Sequence, residues 1–144
     1  NEHGKPDKIL FSYHKIPKKY FVKGDPYHCL CSKTTRLVRE ELGLSEEFAM
    51  TTFQSRFGPE EWLQPYTDKT VEKLAKEKTE HLQIIAPGFS SDCLETIEEL
   101  DVENREIFEE NGGKKFSYIP CLNDQKDHIN LIGHLIKNDL KGWI

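Results

Sequence analysis

Short apolar segments alternate with longer polar segments along the chain, and this alternation limits the fold more than any other sequence feature. Repeated strand and helix units favour a parallel sheet with right-handed crossovers. Strands that are apolar along their whole length are typical of sheets covered on both faces. The predicted strands span 7–13, 48–53, 82–86 and 116–119, and the predicted helices span 32–42, 68–78, about 92–112 and about 124–140.

This pattern predicts an α/β fold with a four-stranded parallel sheet, helices on both faces and three layers, of the flavodoxin-like type. The 144 residues are enough for one compact domain, and no internal repeat or linker divides them. In open parallel sheets, ligands bind beside the carboxyl ends of the strands. We therefore expect functional side chains in the loops that follow the strands.

Charge and motif content exclude several classes of function. No predicted strand is followed by a G-x-G-x-x-G or G-x-x-x-x-G-K-[ST] loop, so a dinucleotide or P-loop site has no support. The net charge of −5 disfavours nucleic acid and makes a cation the better charged partner. No apolar run approaches the roughly 18 residues of a membrane span, which predicts a soluble domain.

The four cysteines indicate a reducing compartment, and we predict a cytoplasmic protein. A domain of this size does not need disulfides, and no signal peptide is recognisable. Cys29 and Cys31 are separated by one residue, a shorter spacing than is usual in zinc sites. A structural or chance thiol pair is therefore the preferred interpretation for these two residues.

His14 and a row of glutamates are the candidates for chemistry. His14 directly follows the first predicted strand, where a neutral imidazole can bind a borderline metal or accept a proton. Glu95, Glu99 and Glu103 recur every four residues on the acidic helix, and a π-type turn would align them in a straight row. The alternative for His14 is a structural histidine whose hydrogen bonds are made within the fold. The alternative for the glutamates is a solvated helix face, because this helix carries further acidic residues.

Two more expectations concern side chains near these candidates. The apolar residues of the acidic helix are expected opposite the glutamates, against the sheet: Leu94, Ile97, Leu100, Ile107 and Phe108. Trp62 lies in a loop rich in glycine and proline, where its ring can cover either a flat ligand or the domain's own core.

Three segments resemble the ferrochelatase family. They are LFSYHKIP with KGDPY at 10–17 and 23–27, FQSRFGP with WL-x-P at 53–59 and 62–65, and GFSSDCLET with ELD at 88–96 and 99–101. Phe53 stands where the family more often has tryptophan, and Cys93 where it more often has histidine. The blocks occur in the family's order with fitting spacing, so the resemblance covers nearly the whole chain and corresponds to the C-terminal half of a bacterial-type enzyme.

The resemblance implies insertion of ferrous iron into protoporphyrin IX, the last step of haem biosynthesis. It implies that His14 and Glu95 face each other across a cleft, bind the iron and accept pyrrole protons. It also implies that Glu99 and Glu103 form a second cation site or a proton path on a π-helix, and that Trp62 and Ser55 contact the substrate. Iron is then a substrate, no tightly bound cofactor is expected, and a second divalent cation is an option at the glutamate row.

By the same resemblance, residues 1–144 form a single chelatase lobe, without the N-terminal lobe of the family. The expected partners are protoporphyrin IX, the missing N-terminal lobe and, by peripheral contact, a membrane. The lobe alone is not expected to turn over, and no iron–sulfur cluster is expected, because the chain stops at Ile144 without a cysteine-rich extension. The alternatives are a chelatase for a different metal and tetrapyrrole, or a non-catalytic flavodoxin-like binding or interaction domain.

Overall fold

A computed structural model describes residues 4–55 and 58–143 of the chain, and four parallel strands form one sheet in these residues. The predicted α/β class with a parallel sheet is confirmed. The strands are β1 Lys8–His14, β2 Ala49–Gln54, β3 His81–Ile85 and β4 Lys115–Ile119. The helices are α1 Lys18–Val22, α2 Tyr27–Leu42, α3 Thr67–Lys76, a π-helix at Glu95–Glu103, α4 Asn104–Glu110 and α5 Lys126–Asp139.

Two helix predictions are wrong. No helix was predicted before residue 32, so α1 was missed. Its five residues include no buried side chain and therefore carry no amphipathic pattern that the sequence could reveal. Helix α2 begins at Tyr27, not at residue 32. Its first turn is stabilised locally, because the Asp25 side chain accepts a hydrogen bond from the Tyr27 N–H at 2.9 Å.

The strand order β2-β1-β3-β4 places β1 in the interior of the sheet, paired with β2 on one side and with β3 on the other. The chain crosses from β1 outward to β2, and then returns past β1 to β3. This reversal makes the carboxyl ends of β1 and β3 a topological switch point, where open α/β sheets bind ligands. His14 ends β1, and the loop after β3 leads into the π-helix.

Apolar cores lie on both faces of the sheet, so the predicted three layers are confirmed. The first core joins β-strand residues to α3, the π-helix and α4, and the second joins them to α2 and the loop before α3. Each fully buried aliphatic or aromatic side chain contributes about 1.5–3 kcal/mol of transfer free energy. Large side chains that are fully buried include Leu10, Phe53, Leu82, Ile84, Leu100 and Phe108.

Helix α5 keeps most of its apolar side chains exposed. Its one buried residue is His128, whereas seven large apolar side chains on or just after the helix are at least 38% exposed. They are Ile129, Leu131, Ile132, Leu135, Ile136, Leu140 and Trp143. This face does not indicate a membrane span, because none of the described helices combines the length and apolar character that crossing a bilayer requires.

Candidate functional site

His14 ends β1 with an exposed side chain, directly after four buried residues of the same strand. Its ring contacts that of Phe89 edge to face, with 6.3 Å between the ring centroids. Phe89 belongs to the loop that leads from β3 to the π-helix. The structure therefore places His14 beside the segment that carries Glu95, as the switch-point topology requires.

Gln54 connects the end of β2 to the first residue of the π-helix. It is the register partner of His14 and is almost completely buried. Its Nε2 donates to the backbone carbonyl of Glu95 at 3.3 Å, and its Oε1 accepts from the Ser12 hydroxyl at 2.7 Å. A buried amide that is hydrogen-bonded at both ends is a rigid connector. If it rotated, its nitrogen and its oxygen would both lose their hydrogen-bond partners in a place that water does not reach.

Asp92 fixes the start of the acidic segment against the loop after β4. Its carboxylate accepts hydrogen bonds from Tyr118 Oη at 2.7 Å, Asn123 Nδ2 at 2.7 Å and the Cys121 N–H at 3.2 Å. Burial alone would raise the pKa of Asp92, but the bonds from Asn123, Tyr118 and Cys121 together outweigh it and lower the pKa to about 2. Asp92 is therefore ionised at neutral pH and holds two loops together.

Glu95 is exposed, and its carboxylate is stabilised in the charged form. The largest cause that lowers the pKa of Glu95 is a hydrogen bond from the Cys93 thiol, whose Sγ lies 3.0 Å from Oε2. The backbone N–H of Glu95 and the charge of His14 lower this pKa further. His14 and Glu95 therefore lie close enough to interact electrostatically, although they are distant in sequence.

The segment Glu95–Glu103 is a π-helix, the type of helix expected for this segment from the family resemblance. Glu95, Glu99 and Glu103 line one open cavity of about 630 Å³. The expected apolar face is only partly right. Leu100 and Phe108 are buried, whereas Leu94 is 73% exposed and lines the same cavity as the glutamates. Leu94 directly precedes the π-helix, and Ile97 within it is also exposed, at 50%.

Ser55 binds the middle glutamate of the row. Both its backbone N–H and its hydroxyl donate to the Glu99 carboxylate, each at 2.5 Å. Ser55 adopts a left-handed conformation with φ of 71°, which is unusual for a residue other than glycine. This geometry turns both of its donors toward the π-helix and makes Ser55 part of the cavity wall.

Trp62 lies apart from the glutamate cavity. It pairs with Pro17, three residues after His14, and lines a smaller cavity of about 270 Å³ with Phe21 and His28. Its indole N–H is buried without an acceptor in the described part of the chain. The structure thus brings His14, Ser55 and the glutamate row to one region and places Trp62 beside it.

In residues 4–55 and 58–143, no group of three or more His, Cys, Asp or Glu side chains is arranged to hold a metal ion. Cys29, Cys31, Cys93 and Cys121 are free thiols, and burial raises the pKa of Cys31. Arg56 and Phe57, in the second family-like segment, lie outside the described residues. Sequence reasoning gave no role to Gln54, Asp92 or Cys93. All three had a signal, because Gln54 lies in the second family-like segment and Asp92 and Cys93 lie in the third.

Comparison with known proteins identifies the relatives of this chain. The family model described as Ferrochelatase matches residues 1–140. The ferrochelatase of Allorhizobium ampelinum is 60% identical over 139 residues, which are 96% of this chain and 40% of that protein. The ferrochelatase of Hydrogenovibrio crunogenus is 59% identical over 142 residues, covering 99% of this chain and 38% of that protein. The chain therefore spans about two fifths of the length of the curated relatives it matches.

Proposed function

The chain belongs to the ferrochelatase family, and we propose that it supplies the metal- and proton-handling side of an enzyme that inserts ferrous iron into protoporphyrin IX. The proposal is supported by the position of His14 at the switch point of the sheet, beside Phe89 of the loop that leads to Glu95. Gln54 joins the strand that His14 pairs with to the first residue of the π-helix.

The chemistry of metal insertion suits these two groups. Two pyrrole N–H protons must leave the porphyrin as the ferrous ion enters, and the overall reaction exchanges one dication for two protons. A neutral His14 imidazole can accept a pyrrole proton, since imidazole is an effective base near neutral pH. The Glu95 carboxylate is ionised, because its pKa is lowered, and it can offer the ferrous ion an oxygen ligand.

The rest of the glutamate row extends this site into the cavity. Glu99 and Glu103 follow Glu95 along the π-helix and line the same cavity. We propose that they hold a second divalent cation or conduct the released protons away. Carboxylates are suitable for either role, because they bind hard cations and exchange protons with water.

We propose that Trp62 and Ser55 contribute to porphyrin binding from the wall next to His14. The pairing of Trp62 with Pro17 supports this role, because the short segment from His14 to Pro17 leads directly to the indole ring. For Ser55, both donors are directed at Glu99. Its contribution to binding would therefore come through its place in the cavity wall.

The remaining part of a family polypeptide is the proposed partner for α5. The relatives are about two and a half times as long as the part matched here, since this chain covers about 40% of them. The exposed apolar face of α5 is too extensive to suit a free surface helix. Burial of this face against the rest of the protein would complete the porphyrin cleft.

Peripheral membrane contact is proposed at α1. Tyr20, Phe21 and Val22 are exposed on this short helix, and Lys19 and Lys23 flank them. Apolar side chains between lysines suit an anionic lipid surface. Cosedimentation with vesicles containing anionic lipid tests this contact, and it is wrong if Val22→Asp leaves binding unchanged.

A chimera tests the activity. The 139 residues that match the Allorhizobium ampelinum ferrochelatase would replace the corresponding segment of that protein, and insertion of Fe²⁺, Co²⁺ and Ni²⁺ into protoporphyrin IX would be followed anaerobically. We expect haem formation with Fe²⁺. A folded chimera that binds porphyrin but inserts no iron would refute the proposal, and a clear preference for Co²⁺ or Ni²⁺ would assign the chain to a different chelatase.

A further inference from the structure

Lys15 is a charged side chain that is buried beside the candidate site. It directly follows His14, and its backbone N–H donates to the Gln54 carbonyl at 3.1 Å. Only 3% of the residue is exposed. Lysine is almost never buried to this extent unless other groups take the place of the water around its ammonium group. The groups around Lys15 Nζ therefore have to stabilise a positive charge inside the domain.

The ring of Tyr66 contacts the ammonium group of Lys15. Nζ lies 4.1 Å from the ring centroid, which is within the range of a cation–π interaction. The backbone of Tyr66 is fixed at the start of α3, because its carbonyl accepts the Thr70 N–H at 2.9 Å. The preceding Pro65 carbonyl accepts the Phe53 N–H, also at 2.9 Å. The ammonium group of Lys15 therefore has a defined position inside the domain.

Lys15 also lines the cavity that contains the glutamate row. Among the described residues, it is the one basic side chain on the wall of this cavity. A cavity of this volume is roughly 11 Å across, about the Debye length at 0.1 M salt, so charges on its wall are not fully screened from one another. The carboxylates on the same wall belong to Asp68, Glu95, Glu98, Glu99 and Glu103.

A fixed ammonium group opposes a second positive ion in the same space. A divalent cation that enters the cavity is attracted by the carboxylates, but it is also repelled by the charge of Lys15. Its affinity is therefore lower than the same carboxylates would give without the lysine. Weak binding suits an ion in transit, because such a site has to release the ion as readily as it accepts it.

We infer that Lys15 is the resident cation of the glutamate cavity: its ammonium group balances part of the carboxylate charge and keeps the binding of divalent cations there weak. The inference deepens the proposed function and rests on it, because the carboxylates concerned include those proposed to handle cations or protons. An ammonium group has no lone pair to offer a metal. Lys15 therefore acts through the glutamates and is not itself a ligand.

Two substitutions remove the charge of Lys15 and keep most of its volume. Lys15→Met retains an unbranched apolar side chain in the buried position, and Lys15→Gln retains a polar end. Each replaces a buried charge with a neutral group, which avoids the cost of keeping an ammonium group away from water. The second variant serves where the first does not fold.

Lys69 provides a matched control. It lies on α3 with an exposed side chain, pairs with Glu72 at 3.1 Å and does not line the glutamate cavity. Lys69→Met changes the net charge of the chain by the same amount as Lys15→Met. Any effect that comes from net charge alone should therefore appear equally in both variants.

The experiment is a calorimetric titration of the full 144-residue chain with Mn²⁺ alone, with thermal unfolding to show that each variant is folded. We expect both Lys15 variants to bind Mn²⁺ about tenfold more tightly than the unmodified chain, and Lys69→Met to bind it as the unmodified chain does. The gain should disappear when Glu99→Gln and Glu103→Gln are added to Lys15→Met. A lysine with a purely structural role would not produce this dependence on the glutamates.

Three results would each overturn the inference. The first is a folded Lys15 variant whose Mn²⁺ affinity stays within twofold of that of the unmodified chain. The second is an equal gain in Lys69→Met, and the third is a gain that persists after Glu99 and Glu103 are neutralised. The titration involves neither porphyrin nor iron insertion, so the inference can fail while the proposed activity stands.

Discussion

Gln54 donates its side-chain amide to the backbone carbonyl of Glu95, so the residue that pairs with His14 in the sheet also holds the first residue of the π-helix. The distance between the two residues of the proposed catalytic pair is therefore set by a buried amide and not by direct contact. The candidate site therefore combines a buried connector, an exposed histidine and a row of carboxylates.

Gln54→Leu should lower both stability and activity. The substitution removes the bonds from Gln54 to the Ser12 hydroxyl and the Glu95 carbonyl, and Ser12 keeps its bond to Thr67, so urea unfolding should show a loss of about 1 kcal/mol. Iron insertion by the chimera should fall more than tenfold. Gln83→Leu is the control, because Gln83 is also buried and donates to a carbonyl, that of Gly4, far from the site. Equal effects of both substitutions on insertion would remove the connector role of Gln54.

His14→Ala should abolish iron insertion by the chimera and leave the fold intact. His14 is exposed at the end of its strand, so its removal should change the unfolding free energy by no more than about 0.5 kcal/mol. His134→Ala is the matched control, because His134 is an exposed histidine on α5. Near-normal haem formation by His14→Ala would contradict the proposed mechanism.

Neutralising Glu99 and Glu103 should affect cation handling alone. Glu99→Gln with Glu103→Gln should weaken Mn²⁺ binding to the chain by about tenfold or slow insertion by the chimera, without unfolding the domain. Glu106→Gln with Glu110→Gln removes the same charge at the same spacing from the exposed side of α4. If both double variants give the same Mn²⁺ titration and rate, the row is a solvated face.

Protonation of Asp92 at low pH should lower the free energy of unfolding of the domain. Its pKa is lowered to about 2, below the ordinary value of about 3.9, so the folded form favours the ionised carboxylate. The stabilisation is therefore complete above about pH 4 and is lost as the pH falls toward 2. We expect the unmodified chain to lose about 1 kcal/mol more than Asp92→Asn between pH 4.5 and 2.5, after allowance for solvent screening. Urea unfolding curves at these pH values measure the difference, and parallel curves for the two proteins would contradict it.

The apolar face of α5 should be needed for this chain to bind the remaining part of a ferrochelatase. Ile132→Asp with Ile136→Asp should abolish copurification of this chain with a separately expressed remainder of the Allorhizobium ampelinum ferrochelatase. Both side chains are 39–48% exposed, so the chain itself should keep its stability. Asn130→Asp with Asn138→Asp adds two charges to the same helix outside this face. Unchanged copurification of the isoleucine variant would show that α5 does not form the interface.

Local sequence signals predicted the elements whose burial follows a regular pattern. The four strands and the long helices were recognisable because apolar residues recur at the spacing of a buried face. Helix α1 was not recognisable, since none of its side chains is buried. The apolar face of the acidic helix was only partly predicted, because Leu94 and Ile97 are exposed and the residues from Glu95 to Glu103 form a π-helix, whose spacing differs from that of an α-helix.

The sequence by itself determined the order and class of the elements, the family, and the identity of His14 and the glutamate row as candidates, because periodicity and motifs are local properties of the chain. The tertiary structure decided which of these groups meet. Gln54 at Glu95, Ser55 at Glu99 and Asp92 at Asn123 join segments that are distant in sequence. Such contacts depend on strand order and on the buried satisfaction of polar groups, and no spacing along the chain encodes them.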